Sequence, residues 1–179
     1  MINTLPVRIN PFRLAEQGRC IEGSLPIGKM LRLGESLLSR QGEANVCLSF
    51  ARDADGLNVV EGVVHADLKM QCQRCLGPMK KSIDWRFRLV MVHNDAEAPQ
   101  IQAEHELLEV ADETIFVMDM IEDELVLSLP LIPKHDDPAA CDAAVLDMFD
   151  TAHVAARDNN DEQRAVHNPF AVLRDLKKS

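Results

Sequence analysis

The sequence predicts an α+β protein with a mostly antiparallel β-sheet, arranged as a meander or barrel-like sheet, and a few helices. Two runs of alternating apolar and polar residues, 64–72 and 82–89, indicate this class because a period of two is typical of half-buried strands. The turn residues Gly77 and Pro78 lie between them, which favours a hairpin. A third observation, acidic residues beyond position 93, predicts a partly disordered acidic C-terminal tail.

Shorter patterns predict the other elements, which depend on apolar spacing and on turn residues such as Asp55 and Gly56. In chain order these predictions are an extended lead-in or strand at 19–27, a helix at 30–38, strands at 46–50, 57–72 and 81–92, and a short strand at 107–110.

One further helix is predicted after the buried apolar run 115–118. Asp119 and Glu122 have the spacing of a capping box, with the aspartate as N-cap and the glutamate three residues later. The helix ends before Pro130, because the residue preceding a proline is displaced from helical geometry. Its polar residues 122–124 are expected to face solvent.

These elements divide the chain into three predicted parts. Residues 1–133 form a single α+β domain with an acidic loop near 93–113, and residues 134–167 form an acidic, partly disordered tail. Residues 168–179 form a short helical peptide with proline at its first helical position. We expect Phe170, Leu173 and Leu176 to make its apolar face, either as a docking peptide or packed back on the domain.

Composition indicates an aliphatic core and a reducing compartment. Hydrophobic residues make up 46% of the chain, with one Trp, six Phe and no Tyr. The sequence has no apolar stretch long enough to cross a membrane and no signal-peptide pattern at its start, and its five cysteines are an odd number. We therefore predict a cytoplasmic protein with no membrane partner.

Charge is distributed unevenly along the chain. Residues 1–92 carry 13 Lys and Arg and 9 Asp and Glu, a net of +4, and residues 93–179 carry 6 and 20, a net of −14. Together they give the net charge of −10. Such asymmetry indicates charged partners, although solubility alone is the alternative explanation.

Three sequence blocks are similar to a known family when they are taken in order. They are Met-Gln-Cys-Gln-Arg-Cys-Leu at 70–76, the acidic block Ile-Glu-Asp-Glu-Leu-Val-Leu-Ser-Leu-Pro at 121–130, and Asn-Pro-Phe-Ala-Val-Leu at 168–173. The chain thereby resembles the large ribosomal RNA subunit accumulation protein family, also called YceD. The resemblance implies a cytoplasmic, non-enzymatic factor that supports synthesis, processing or stability of large-subunit ribosomal RNA. The partner that it implies is large-subunit ribosomal RNA or a pre-ribosomal particle. The resemblance supplies no catalytic residues.

The Cys-x-x-Cys motif is a candidate half of a zinc site. Cys72 and Cys75 have the spacing of two thiolate ligands, and His135 and Cys141 are the candidates for the other two. A small structural zinc module is therefore one alternative for the chain. A redox pair and two simple packing residues are the others.

The densest basic set surrounds this motif and is a candidate RNA or partner surface. Arg86 and Arg88 alternate with Trp85 and Phe87, so both arginines are expected to point outward. Such a stripe could hold phosphates without reading the base sequence, whereas a solvated sheet face is the alternative. The full set is Lys69, Arg74, Lys80, Lys81, Arg86 and Arg88.

The acidic half supports a second hypothesis, an acidic chaperone or adaptor for a basic ribosomal protein. Electrostatic complementarity would set its on-rate and choice of partner. The candidate residues are Glu104, Glu106, Glu109, Glu122, Asp123 and Glu124.

Catalysis is the least supported class. The six histidines are scattered, and the sequence contains neither a phosphate-binding glycine loop nor a nucleophile elbow. We therefore predict that the protein is not an enzyme.

Overall fold

The alternating patterns fold into strands close to their predicted positions. The computed structural model describes residues 5–94, 105–141 and 145–146. In chain order, the elements are β1 (Arg8–Ile9), α1 (Pro11–Glu16), β2 (Cys20–Pro26), a 3₁₀ turn (Ile27–Lys29), α2 (Leu31–Gly34), β3 (Glu43–Arg52), β4 (Asn58–Gln71), β5 (Pro78–Val92), β6 (Glu106–Glu109), β7 (Ile115–Phe116), α3 (Val117–Ser128) and a 3₁₀ turn (Pro138–Ala140).

Five of these strands form one sheet in the order β2-β3-β4-β5-β6. The first three neighbouring pairs are antiparallel, which confirms the predicted meander, but β6 lies parallel to β5. Strands β2 and β6 are the two edges, so the described strands form an open sheet and the barrel-like alternative is wrong. Strands β1 and β7 pair separately as a small antiparallel ribbon.

One face of the sheet carries the core. Along β4 the buried positions alternate strictly from Val60 to Met70, as the period of two predicted. Helix α1 packs against β3 and β4, and α3 packs against β5 and α2. The other face, which we call the outer face, presents the alternate residues of β3, β4 and β5 to solvent.

The predicted helix at 30–38 is much shorter, and an earlier helix was missed. Helix α2 ends at Gly34, a residue that is unfavourable inside helices. Beyond it, the backbone N–H of Leu38 donates to the carbonyl of Lys69 at 2.8 Å, so the chain joins the sheet instead. Helix α1 begins with Asn10 as a side-chain cap and Pro11 at its first position.

The β3–β4 turn is organised by one carboxylate. Asp53 Oδ1 accepts hydrogen bonds from the backbone N–H groups of Asp55 and Leu57, at 3.1 and 2.8 Å, and Gly56 adopts the positive φ that the turn requires. Asp53 Oδ2 also accepts from Arg88 at 2.6 Å. Burial opposes ionisation of Asp53, but these hydrogen bonds outweigh it and lower the pKa of the carboxyl below its ordinary value.

The chain separates into two units, Met1–Lys134 and His135–Ser179. The described part of the first contains both sheets and the three α-helices, and the described part of the second contains the 3₁₀ turn at Pro138–Ala140. Among the described residues, no helix is long and apolar enough to span a membrane.

Candidate functional site

The Cys-x-x-Cys motif occupies the connection between β4 and β5, as predicted, but both thiols are buried. The turn is closed by two backbone hydrogen bonds, from Leu76 N–H to the Cys72 carbonyl at 2.8 Å and from Cys72 N–H to the Gly77 carbonyl at 2.9 Å. Leu76 has φ of 58°, a left-handed conformation that costs a branched side chain about 1 kcal/mol. This turn directs the Arg74 N–H to the Cys72 sulfur at 3.4 Å.

His135 and Cys141 form a second local pair. Between them, the Asp137 side chain accepts from the Ala139 N–H at 2.9 Å and caps the 3₁₀ turn that leads to Cys141. Cys141 is buried, and its sulfur lies 3.5 Å from His135 Nδ1. Both side chains therefore offer donor atoms of the kind that zinc prefers.

The two cysteine-containing pairs form one group of candidate metal ligands. Cys72, Cys75, His135 and Cys141 each offer one ligand atom, and these atoms all lie within 4.8 Å of one another. Three thiolates and one imidazole are a common donor set of structural zinc sites. The group could therefore bind a metal ion.

The basic residues are distributed over two faces and one turn rather than along one stripe. Lys69, Lys80, Arg86 and Arg88 lie on the outer face, and Lys69 is the direct register partner of Lys80. Arg74 lies in the cysteine turn. Lys81 occupies the alternate position on β5, where its partner is the buried Leu68.

The two outward arginines have different surroundings. Besides Asp53, Arg88 is 3.6 Å from Glu61 and 3.5 Å from His105 Nδ1, so its guanidinium is largely committed to neighbouring side chains. Arg86 is exposed opposite Val63. Both arginines line an outer-face depression of about 450 Å³, together with Cys47.

The prediction that residues 122–124 form a solvent-facing acidic surface on α3 is wrong, because Glu122 and Glu124 are buried. The helix begins at Val117, so Asp119 is inside its first turn and the predicted capping box does not form. Instead, Glu122 Oε1 accepts from the backbone N–H groups of Arg32 and Leu33, at 2.7 and 3.1 Å, and so caps α2. Its other oxygen is 3.3 Å from the Arg32 guanidinium.

Glu124 is the second buried carboxylate. Its Oε2 accepts from Trp85 Nε1 at 2.9 Å. Burial raises the pKa of Glu124, the nearby Glu106 and Asp123 raise it further, and the Trp85 hydrogen bond only partly opposes them. Neither Glu122 nor Glu124 is available as a solvent-facing contact.

The remaining acidic candidates differ in exposure. Glu106 and Glu109 are exposed on the edge strand β6, and the exposed Asp123 pairs with Arg32. Glu104 and the predicted docking residues Phe170, Leu173 and Leu176 lie outside the described residues.

This is an open-sheet α+β protein that carries a group of candidate metal ligands and a charged sheet face. The family model described as "Large ribosomal RNA subunit accumulation protein YceD" matches residues 60–177. The protein of Haemophilus influenzae with that same description is 31% identical over 175 residues, covering 97% of each chain. The chain therefore belongs to the large ribosomal RNA subunit accumulation protein YceD family. No solved structure matches it.

Proposed function

We propose that this protein is a cytoplasmic, non-enzymatic factor that supports the accumulation of large-subunit ribosomal RNA, through its synthesis, processing or stability. The observation that carries the proposal is the relative described as a large ribosomal RNA subunit accumulation protein, to which the chain aligns over 97% of its length. The proposed partner is that RNA or a pre-ribosomal particle. The cationic side chains of the outer face, among them Lys69, Lys80 and Arg86, support phosphate contact.

Sedimentation of the tagged protein from cell lysate tests this proposal. We expect co-sedimentation with particles lighter than the mature large subunit, lost after RNase treatment and reduced at moderate salt, because phosphate contacts are salt-sensitive. Protein that remains at the top of the gradient under every condition would contradict stable particle binding. An RNase assay with and without magnesium, in which we expect no cleavage by the purified protein, tests the non-enzymatic assignment.

A second candidate function is an acidic chaperone or adaptor for a basic ribosomal protein. It is favoured by the net charge of −14 in residues 93–179 and by the exposed Glu106 and Glu109. Replacing these two glutamates with glutamine should slow capture of a purified basic ribosomal protein, because opposite charges steer association. The Glu43→Gln variant, also at an exposed strand position, is the control, and equal capture rates in both variants would contradict this function.

We also propose that Cys72, Cys75, His135 and Cys141 bind a structural zinc ion, in the four-ligand arrangement that closed zinc sites use. The short distances among their ligand atoms support this proposal. The backbone N–H of Arg74, which is directed at the Cys72 sulfur, supports the zinc proposal independently. Such a site would stabilise the fold, because metal binding to folded ligands adds to folding free energy.

Cobalt substitution tests the metal proposal. Co²⁺ added to metal-free protein should give thiolate-to-cobalt absorption and a tetrahedral ligand-field band, at one equivalent per chain. Cys72→Ser and His135→Ala should each weaken or abolish the bands, whereas Cys20→Ser and Cys47→Ser are matched controls because those thiols are exposed. Identical spectra in Cys72→Ser and the controls would overturn the proposed ligand set.

A further inference from the structure

Two lysines face each other directly across the central hairpin. Lys69 on β4 and Lys80 on β5 are register partners, and both are exposed on the outer face. Directly opposed side chains of an antiparallel pair have Cβ atoms about 5 Å apart, so like charges at such positions destabilise the sheet. Neither ammonium group has a carboxylate within ion-pair distance in the described part of the chain.

A depression lies beside this lysine pair. Its volume is about 510 Å³, and its lining includes the hydroxyl-bearing Ser39 and Ser82 and the amide side chain of Gln41. Ser39 forms an isolated bridge with Lys69 on the side away from Lys80, so Lys69 lies between Ser39 and Lys80. Hydroxyl and amide groups are common partners of phosphate oxygens, alongside lysine.

The lining also contains one carboxylate, which weakens anion binding. Asp67 accepts a hydrogen bond from the Ser82 hydroxyl and lies two residues before Lys69 on the same face. Two ammonium groups against one carboxylate leave a net positive site. The Arg88 position on the same face differs, because its cation is already paired with Asp53 and lies close to Glu61.

We propose that the depression beside Lys69 and Lys80 binds a phosphodiester group of RNA, with the two ammonium groups contacting phosphate oxygens. This inference rests on the proposed function and assigns the phosphate contact to one end of the outer face. An anion between the two lysines removes their mutual repulsion, so the arrangement that costs stability in the free protein favours the bound state.

Anisotropy with a labelled single-stranded RNA, measured over a range of salt concentrations, tests the site. The double variant Lys69→Gln/Lys80→Gln should lose affinity on the order of 10-fold, and its salt dependence should fall by about 1.4 in log–log slope, the value for two lost phosphate contacts. The double variant Arg13→Gln/Lys29→Gln is the charge-matched control, since both residues are exposed and outside the depression. Asp67→Asn should tighten binding about threefold, as expected for removal of one surface charge.

Thermal unfolding separates a binding role from a structural one. Lys80→Gln should raise the Tm by about 1–2 °C, because it removes a directly opposed like charge. Reduced RNA binding together with an unchanged or raised Tm supports the site. Equal RNA affinity in the lysine double variant and the control, or binding of inorganic phosphate without RNA binding, would overturn it.

Failure of this inference and failure of the proposed function have different signatures. Wild-type protein that co-sediments with particles, while the lysine double variant co-sediments equally, refutes only the lysine site. Wild-type protein that binds RNA through the lysines, yet never co-sediments, refutes only the particle-binding function.

Discussion

At the residue scale, the Trp85–Glu124 hydrogen bond joins the sheet to α3 through a carboxylate with a raised pKa. A raised pKa in the folded state means that the folded protein binds the proton more tightly than the unfolded chain does. The contribution of Glu124 to stability is therefore fully present below the unfolded value, about 4.3, and is lost as pH rises through the folded pKa.

The fluorescence of Trp85 should report this titration, because it is the only tryptophan in the chain. We expect a change in emission with a midpoint above the ordinary glutamate value, since the indole N–H donates to the titrating group. Glu124→Gln keeps an acceptor oxygen but cannot titrate, so its emission should be flat over the same range. A midpoint that persists in the variant would assign the change to another group.

At the element scale, α2 depends on α3 for its N-terminal cap. Its first turn has no side-chain cap of its own, and two of its N–H groups donate to Glu122 instead. A helix of four residues offers few internal hydrogen bonds, so the external carboxylate is a large part of its support.

Glu122→Ala should lower the free energy of unfolding by about 2 kcal/mol, because it leaves two N–H groups of α2 without their acceptor. The matched control is Asp119→Ala on the same helix, which should stay within about 0.5 kcal/mol because Asp119 is exposed and caps no helix. Urea denaturation of both variants measures the difference. Equal losses would show that the cap contributes nothing beyond ordinary helix propensity.

The sequence was sufficient for elements with local signals and insufficient for contacts between distant segments. The long strands follow from side-chain alternation. Helix α1 could have been predicted from Asn10 and Pro11, because the same Asn-Pro pattern predicts the helical peptide at 168–179. The parallel orientation of β6 has no local signature, because the residue pattern of one strand does not specify whether its neighbour runs parallel or antiparallel to it. The burial of Glu122 was equally hidden, since its partners are about 90 residues away.

The candidate sites show the same division. Cys-x-x-Cys spacing placed both candidate cysteine ligands in one turn, because that turn is local. The outward direction of Arg88 also followed from alternation, but its ion pair with Asp53 depends on the β3–β4 turn and could not be predicted. The opposition of Lys69 and Lys80 required the exact register of the hairpin.

At the scale of the whole molecule, a net charge of −10 and an isoelectric point near 5.0 oppose the approach of RNA at neutral pH. Lowering the pH towards 6 reduces this repulsion as His65 becomes protonated. His65 participates because its hydrogen bond to Asp84 raises its pKa, burial opposes the shift, and the charges of Asp84 and Asp67 favour it.

We therefore expect tighter RNA binding at pH 6.0 than at pH 7.5, at equal ionic strength. Because its pKa is raised, His65 gains its charge on the outer face at a higher pH than an ordinary histidine does. His65→Gln should show a smaller increase than the wild-type protein, as measured by anisotropy. Identical affinity at both pH values would mean that local contacts, rather than net charge, control the association.

The capping of α2 by Glu122 also has a consequence in time. Residues 32 and 33 leave the ribosome about 90 residues before the carboxylate that completes their hydrogen bonds. At ordinary rates of synthesis this interval is on the order of 5 to 20 s. During that interval the start of α2 has only water as partner for these N–H groups, so this part of the nascent chain reaches its final form only after α3 has been made.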